Sequence, residues 1–258
     1  MLLALVIGNS EILLGFIDSG VLTDTAALKS DKDRTADEYA CIMKGILDFR
    51  GIDKDAIDGT ICASVAPSLT EPVRRAVWML TGHRPHLLGA GIRTGLDIRT
   101  DDPTQLGGDL VAAAIGALTQ YRPPMILVDL GTATTFSVIG RDGAFLGCAI
   151  APGVALSADA LSSSASLLPE FARAVPKKCI GTSTMESMQS GCLYGSAAMI
   201  DGMIDRITGE LGETDVRLIA SGNAAEILLP LCRHDIRRDD TLTFRGLAEI
   251  YRKNQRRK

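Results

Sequence analysis

Residues 126–143 read ILVDLGTATTFSVIGRDG, and residues 3–20 read LALVIGNSEILLGFIDSG. Each is an apolar run that stops at a glycine, passes through small polar residues, resumes as a second apolar run and closes on an Asp-Gly or Asp-Ser-Gly turn. This predicts one hairpin used twice. A strand, a Gly-polar turn and a second strand present backbone N–H groups and hydroxyls to an anion, and two such turns facing each other would hold the phosphates of one nucleotide. In the second copy, Asp129 at the strand end is placed to bind Mg²⁺ directly or through water. Gly131 makes the turn, and Thr132, Thr134 and Thr135 bring hydroxyls to where a γ-phosphoryl group would lie. Gly-Thr turns and strand-end aspartates also occur as plain turn chemistry, and it is the repetition that favours phosphate. In the first copy Gly8, Asn9 and Ser10 form the turn. When the two glycines are superposed, Val6 falls on Asp129.

A second constellation is DDPTQLGGDLVAAAIGAL, which puts Gly107, Gly108 and Asp109 just before an Ala-rich helix. Asp109 is either the helix N-cap, which the spacing alone favours, or a carboxylate at a helix mouth beside the cleft. In the second role the helix dipole would lower its pKa and keep it ionised to orient a hydroxyl nucleophile. A third is STMESMQSGCLYGSAAMIDGMIDRITGEL, where Gly191, Gly195, Ala198 and Gly202 share one helix face. Each mid-helix glycine costs about 1 kcal/mol relative to alanine, so the smooth face implies close approach of another backbone, within the chain or across a subunit interface.

These groups need a scaffold. Strand-like runs at 2–7, 11–17, 60–64, 126–130 and 216–220 alternate with helix-like runs at 36–50, 69–81, 109–120, 186–211 and 224–232, which predicts an α/β fold. The 258-residue length suits two domains, and Pro123-Pro124 with the restarting hairpin divides them into 1–121 and 122–258. Only 4% of residues are aromatic, so the cores are aliphatic. The net charge of −4 argues against a nucleic-acid footprint, and the basic run YRKNQRRK reads as a solvated helix end. The six cysteines have no metal-ligand or CxxC spacing and read as reduced, mostly buried thiols. The apolar N-terminal run is interrupted by Gly8-Asn9-Ser10 and has no basic segment before it. Neither a signal peptide nor a membrane span is expected, and the compartment is then cytoplasmic.

The segments DLGTATTFSVI, CAIAPGVALSADAL, STMESMQSGCLYG and LTFRGLAEIYRKN resemble those of type III pantothenate kinases, and the similarity runs from residue 2 to about 254. The resemblance implies the acetate-and-sugar-kinase, Hsp70 and actin superfamily: two ribonuclease-H-like domains related by duplication, with ATP in the cleft between them. It implies transfer of the ATP γ-phosphoryl group to pantothenate in coenzyme A biosynthesis, with Mg²⁺ and a monovalent cation, K⁺ or NH4⁺. It also implies a homodimer whose pantothenate pocket is completed by the neighbouring subunit. By position, Asp129 matches the family's cation-binding aspartate, and Asp109 the base that accepts the hydroxyl proton, with Gly107 and Gly108 beside the substrate. Thr184 matches a threonine that reaches the substrate across the dimer, and Ser221 and Gly222 fall in the adenosine region.

The departures are specific. The family's first motif is Asp-x-Gly-Asn-Thr, and here it reads Val6-Ile7-Gly8-Asn9-Ser10. Leu110 stands where the family has the arginine after the base, Ser137 where it has aspartate, and Ser221-Gly222-Asn223 replaces a Gly-Gly turn. Three outcomes follow: a kinase whose catalysis is impaired or depends on a competent paralogue as partner, an active kinase with a rearranged metal site, or a regulatory protein that senses pantothenate or a nucleotide.

Overall fold

The computed structural model describes residues 1–164, 168 and 171–255. The chain forms two α/β units, each with a five-stranded sheet. The first contains β1 (Leu2–Ile7), β2 (Glu11–Asp18), β3 (Val21–Lys29), α1 (Ala36–Arg50), β4 (Gly59–Ser64), α2 (Pro67–Thr81), β5 (His86–Leu87) and α3 (Gly108–Leu118). Its strand order is β3-β2-β1-β4-β5, with β1–β2–β3 antiparallel and β4 parallel to β1. The second contains β6 (Met125–Leu130), β7 (Ala133–Ile139), β8 (Phe145–Pro152), α4 (Val154–Ser164), α5 (Thr184–Leu211), β9 (Arg217–Ser221), α6 (Ala225–Leu228) and β10 (Arg237–Arg238). Its order, β10-β9-β6-β7-β8, repeats the first pattern.

Local chemistry explains the boundaries. Ser19 and Gly20, both at positive φ, form the two-residue turn that a twisted β2–β3 hairpin needs. Thr35 and Glu38 form a reciprocal capping box at the start of α1, and Gly51 ends that helix in the left-handed conformation. Alternation along β1 and β2 sends Leu3, Leu5, Ile7, Ile12, Leu14 and Phe16 into a core with Tyr39, Met43 and Leu47 of α1 and Val73 and Val77 of α2. The second core joins Ile126, Val128, Leu130 and Phe136 to Leu193, Ile200 and Ile204 of α5.

The last helix, α7 (Leu242–Asn254), belongs to the first unit, so the expected second domain of 122–258 ends at Asp240. The reason is close packing on α3. A side chain at Gly116 would collide with the Leu242 carbonyl, and one at Gly246 with the Ala112 carbonyl. On the sheet, Phe244 fills the space over Gly15 and Tyr251 the space over Gly59.

The helix expected over 224–232 shortens to α6 and a 3₁₀ turn at Leu229–Leu231, because Pro230 cannot donate within a continuing helix. The six cysteines are free, but Cys41, Cys148 and Cys179 are exposed, so burial describes only part of the set. Burial pushes the Cys62 thiol up to about 12. Residues 256–258 of the basic run lie outside the described residues. No described helix is long and apolar enough to cross a membrane.

Candidate functional site

In the second unit the Gly131 N–H donates to the Ala133 carbonyl at 3.2 Å, closing the turn between β6 and β7. Two glycines let the chain crowd it. A Cβ on Gly153 would strike the Gly131 and Thr132 carbonyls, and Gly222, at φ +102°, lies against the Leu130 backbone. Ala224 N–H donates to Leu130 O at 3.1 Å and Gly153 N–H to Thr132 O at 3.1 Å, so the turn is braced from both sides. Thr132 is exposed on it.

The sheet register sorts the remaining polar groups. Asp129 on β6 stands directly opposite Thr135 on β7 and Ser221 on β9, so the three side chains share one sheet face. The Ser221 hydroxyl donates to Asp129 Oδ1 at 2.9 Å. Thr135 is 9% exposed, and its buried hydroxyl has no hydrogen-bond partner among the described residues. Thr134, 1% exposed, pairs with Leu130 on the opposite, helix-covered face. The sequence expectation grouped it with Thr132 and Thr135 beside a phosphate, and strand alternation turns its side chain to the face opposite Thr135. Ser137 shares the Asp129 face, two residues farther from the turn.

The first unit repeats this geometry with different chemistry. Gly8 N–H donates to Glu11 O at 3.0 Å, Ser30 Oγ donates to Gly8 O at 2.6 Å, and Asn9 and Ser10 are exposed on the turn. The row matching Ser221–Asp129–Thr135 is Ala63–Val6–Leu13. By alternation this row lies on the face where Phe244 and Tyr251 of α7 meet Gly15 and Gly59. One row carries a carboxylate and two hydroxyls; its counterpart is entirely apolar.

Asp109 is not the cap of α3. Gly107 is the N-cap residue and makes no side-chain cap, Gly108 opens the helix against Leu88, and Asp109 lies within the first turn. Its Oδ1 accepts the Leu110 N–H at 2.9 Å. Burial raises the Asp109 pKa and outweighs that hydrogen bond, which overturns the expectation of a dipole-lowered value. A carboxylate poised upward in this way is a better proton acceptor than an exposed one.

Thr184 is the exposed first residue of α5, whose N-terminus is capped by Ser183 accepting the Glu186 N–H at 3.2 Å. Gly191, Gly195 and Ala198 are exposed along the helix, and a Cβ on either glycine would meet nothing within 4 Å. Close packing among the described residues therefore does not require glycine at those two positions. The sequence reading missed the contact of Ser221 with Asp129. Its signal was that LIAS and MILVDL are parallel-strand sequences whose ends carry a hydroxyl and a carboxylate.

The chain can now be set beside known proteins. A family profile described as type III pantothenate kinase matches residues 2–206. A type III pantothenate kinase from Moorella thermoacetica is 36% identical over 254 residues, covering 98% of this chain and 100% of its own length. One from Shouchella clausii is 39% identical over 256 residues, covering 99% and 100%. Among solved structures, the activator of 2-hydroxyisocaproyl-CoA dehydratase from Clostridium difficile, with bound ADPNP, superposes with a TM-score of 0.53. It is 11% identical and covers 99% of this chain and 97% of its own, a likeness of fold. The two sheets with repeated strand order are the duplicated α/β fold of actin-like ATPases and sugar kinases. Matched over most of its length by the profile and over nearly all of it by these relatives, the chain belongs to the type III pantothenate kinase family.

Proposed function

We propose that the protein binds Mg-nucleotide and pantothenate in coenzyme A biosynthesis, and that its phosphoryl transfer is weak in the isolated chain and strengthened by a partner subunit. The observation that carries this is the contrast between the Ser221–Asp129–Thr135 row and the apolar Ala63–Val6–Leu13 row.

In the reaction, the primary hydroxyl of pantothenate attacks the γ-phosphorus of ATP. The bond to the oxygen bridging to the β-phosphate breaks, ADP leaves, and the hydroxyl proton passes to Asp109. Asp109, with its pKa raised by burial, is the group in this chain suited to accept it. Gly107 and Gly108 let the substrate approach α3. Asn9, Ser10 and Thr132 offer the polar groups of the two turns to phosphate oxygens, Gly8 and Gly131 shape those turns through their own N–H bonds, and Gly222 flanks the turn after β6.

The Asp129 row fits Mg²⁺ in its usual form, an ion that keeps waters and phosphate ligands and uses one or two carboxylates. The buried, partnerless Thr135 hydroxyl suits the water shell of such an ion. Among the described residues no group of three or more His, Cys, Asp or Glu forms a self-sufficient metal cage. Mg²⁺, when bound, neutralises charge developing on the transferred phosphoryl group. K⁺ or NH4⁺ would accompany the nucleotide as in the family.

Losing the carboxylate at Val6 removes an electrostatic contribution of several kcal/mol, on the order of a thousandfold in rate. Leu110 removes a charge-assisted hydrogen bond to the substrate as well. The open glycines of α5 support a dimer, a homodimer or a heteromer with a competent paralogue, in which Thr184 serves the neighbour's pocket. The apolar Val6 row also supports a second reading, a non-catalytic sensor of pantothenate or nucleotide. Calorimetry with each ligand beside a coupled kinase assay separates the two: ligand binding with no turnover under any partner condition supports the sensor.

A further inference from the structure

Ser221 enters the sequence reading as a nucleotide contact, yet its hydroxyl is committed to Asp129. A carboxylate at a strand end rotates in a broad two-fold well about χ2, and a donor fixed on the neighbouring strand restricts that rotation. With Oδ1 held by Ser221, Oδ2 lies on the Gly131 side, where a Cβ on that glycine would stand 3.0 Å from it. The held carboxylate therefore presents its second oxygen at the phosphate turn. The duplication provides an internal control. Where the first unit has Val6 instead of a carboxylate, the residue in the place of Ser221 is Ala63, so hydroxyl and carboxylate are present together or absent together.

We infer that Ser221 is the positioning residue of Asp129: its hydroxyl fixes the carboxylate so that Oδ2 meets the nucleotide-bound cation beside Gly131. The inference rests on the reading of Asp129 as the Mg²⁺-associated carboxylate. Hydrogen-bond partners behind a metal ligand are worth about 10–100-fold in metal affinity. Removing the hydroxyl should therefore weaken the cation's hold by that factor without touching the nucleotide itself.

The test is calorimetric titration of the full chain with a non-hydrolysable ATP analogue across a Mg²⁺ series and in EDTA. Ser221→Ala is expected to raise the Mg²⁺ concentration for half-maximal binding about 10–100-fold and leave the EDTA affinity unchanged. Ser221→Thr should restore the wild-type value, and Ser221→Ala should add nothing in an Asp129→Asn background. Near-UV circular dichroism checks that each variant is folded. Equal loss with and without Mg²⁺ would make Ser221 a nucleotide contact and overturn the proposal. So would an unchanged Ser221→Ala in a protein whose Mg²⁺ dependence Asp129→Asn abolishes. Mg²⁺ dependence that survives Asp129→Asn, or is missing from the wild type, would instead remove the Asp129 reading on which the proposal stands.

Discussion

Val6 and Asp129 hold the same place in the two sheets. Each is the penultimate residue of its unit's first strand, opposite a β2 or β7 residue on one side and a β4 or β9 residue on the other. The duplication makes the difference between them a difference of whole rows, and this shapes what a repair mutation must do. Val6→Asp alone puts a carboxylate between Ala63 and Leu13 with no hydroxyl on either flank. It should cost about 1–3 kcal/mol of stability, and adding Ala63→Ser should return roughly 1 kcal/mol. Urea denaturation of the single and double variants measures both; a Val6→Asp protein as stable as the wild type would show that the site is better hydrated than its neighbours imply.

Asp109 gives a pH signature. Burial holds its folded pKa above the ordinary aspartate value, so the native state keeps a proton over a range where the unfolded chain has lost it. Stability therefore falls as pH rises through that range, and the cost is fully present above the folded value. Asp109→Asn should raise the melting temperature at pH 7, with a gain that shrinks towards about pH 4, while reducing turnover. Thermal melts across pH check the first part, and a pH-independent change in melting temperature would contradict it.

The contact of α3 with α7 predicts a sharp contrast among glycines. Gly246→Ala, whose methyl meets the Ala112 carbonyl, should destabilise the chain by about 1–3 kcal/mol. Gly45→Ala in α1, with nothing within 4 Å of the new methyl, should stabilise by about 0.5–1 kcal/mol. Because α3 carries Asp109, Gly246→Ala should also disturb turnover more than its loss of stability alone would. Chemical denaturation and kinetics on both variants test the pair.

Much of this architecture is legible in the sequence because strand alternation and turn chemistry are local. The repeated hairpin around Gly8 and Gly131 and the glycine face of α5 follow from spacing alone. What is not legible depends on pairing between distant segments. Ser221 reaches Asp129 across 92 positions. Helix α7 returns to the first unit because Gly116 and Gly246 match each other, which no window of sequence contains. Thr134 parts from Thr135 for a simpler reason: strand alternation puts the two side chains on opposite faces.

The α5 face predicts association. Gly195→Leu would project a large side chain from an exposed, open position, so it should leave the fold intact and shift a dimer towards monomer. Sedimentation velocity reads this directly. In a mixed dimer with a competent paralogue, Thr184→Ala in this chain should lower the activity of the complex without dissociating it. Unchanged sedimentation and unchanged kinetics would set the partner role aside.

The central claim is that the apolar row at Val6, together with Leu110, is what weakens phosphoryl transfer. The direct measurement is a coupled kinase assay on the isolated chain and on the Val6→Asp, Leu110→Arg double variant, with ATP, Mg²⁺ and pantothenate. The expected result is turnover in the unmodified chain at about a thousandth of that of a competent relative or less, with part of it recovered in the double variant. Full activity in the unmodified, isolated chain would contradict the account.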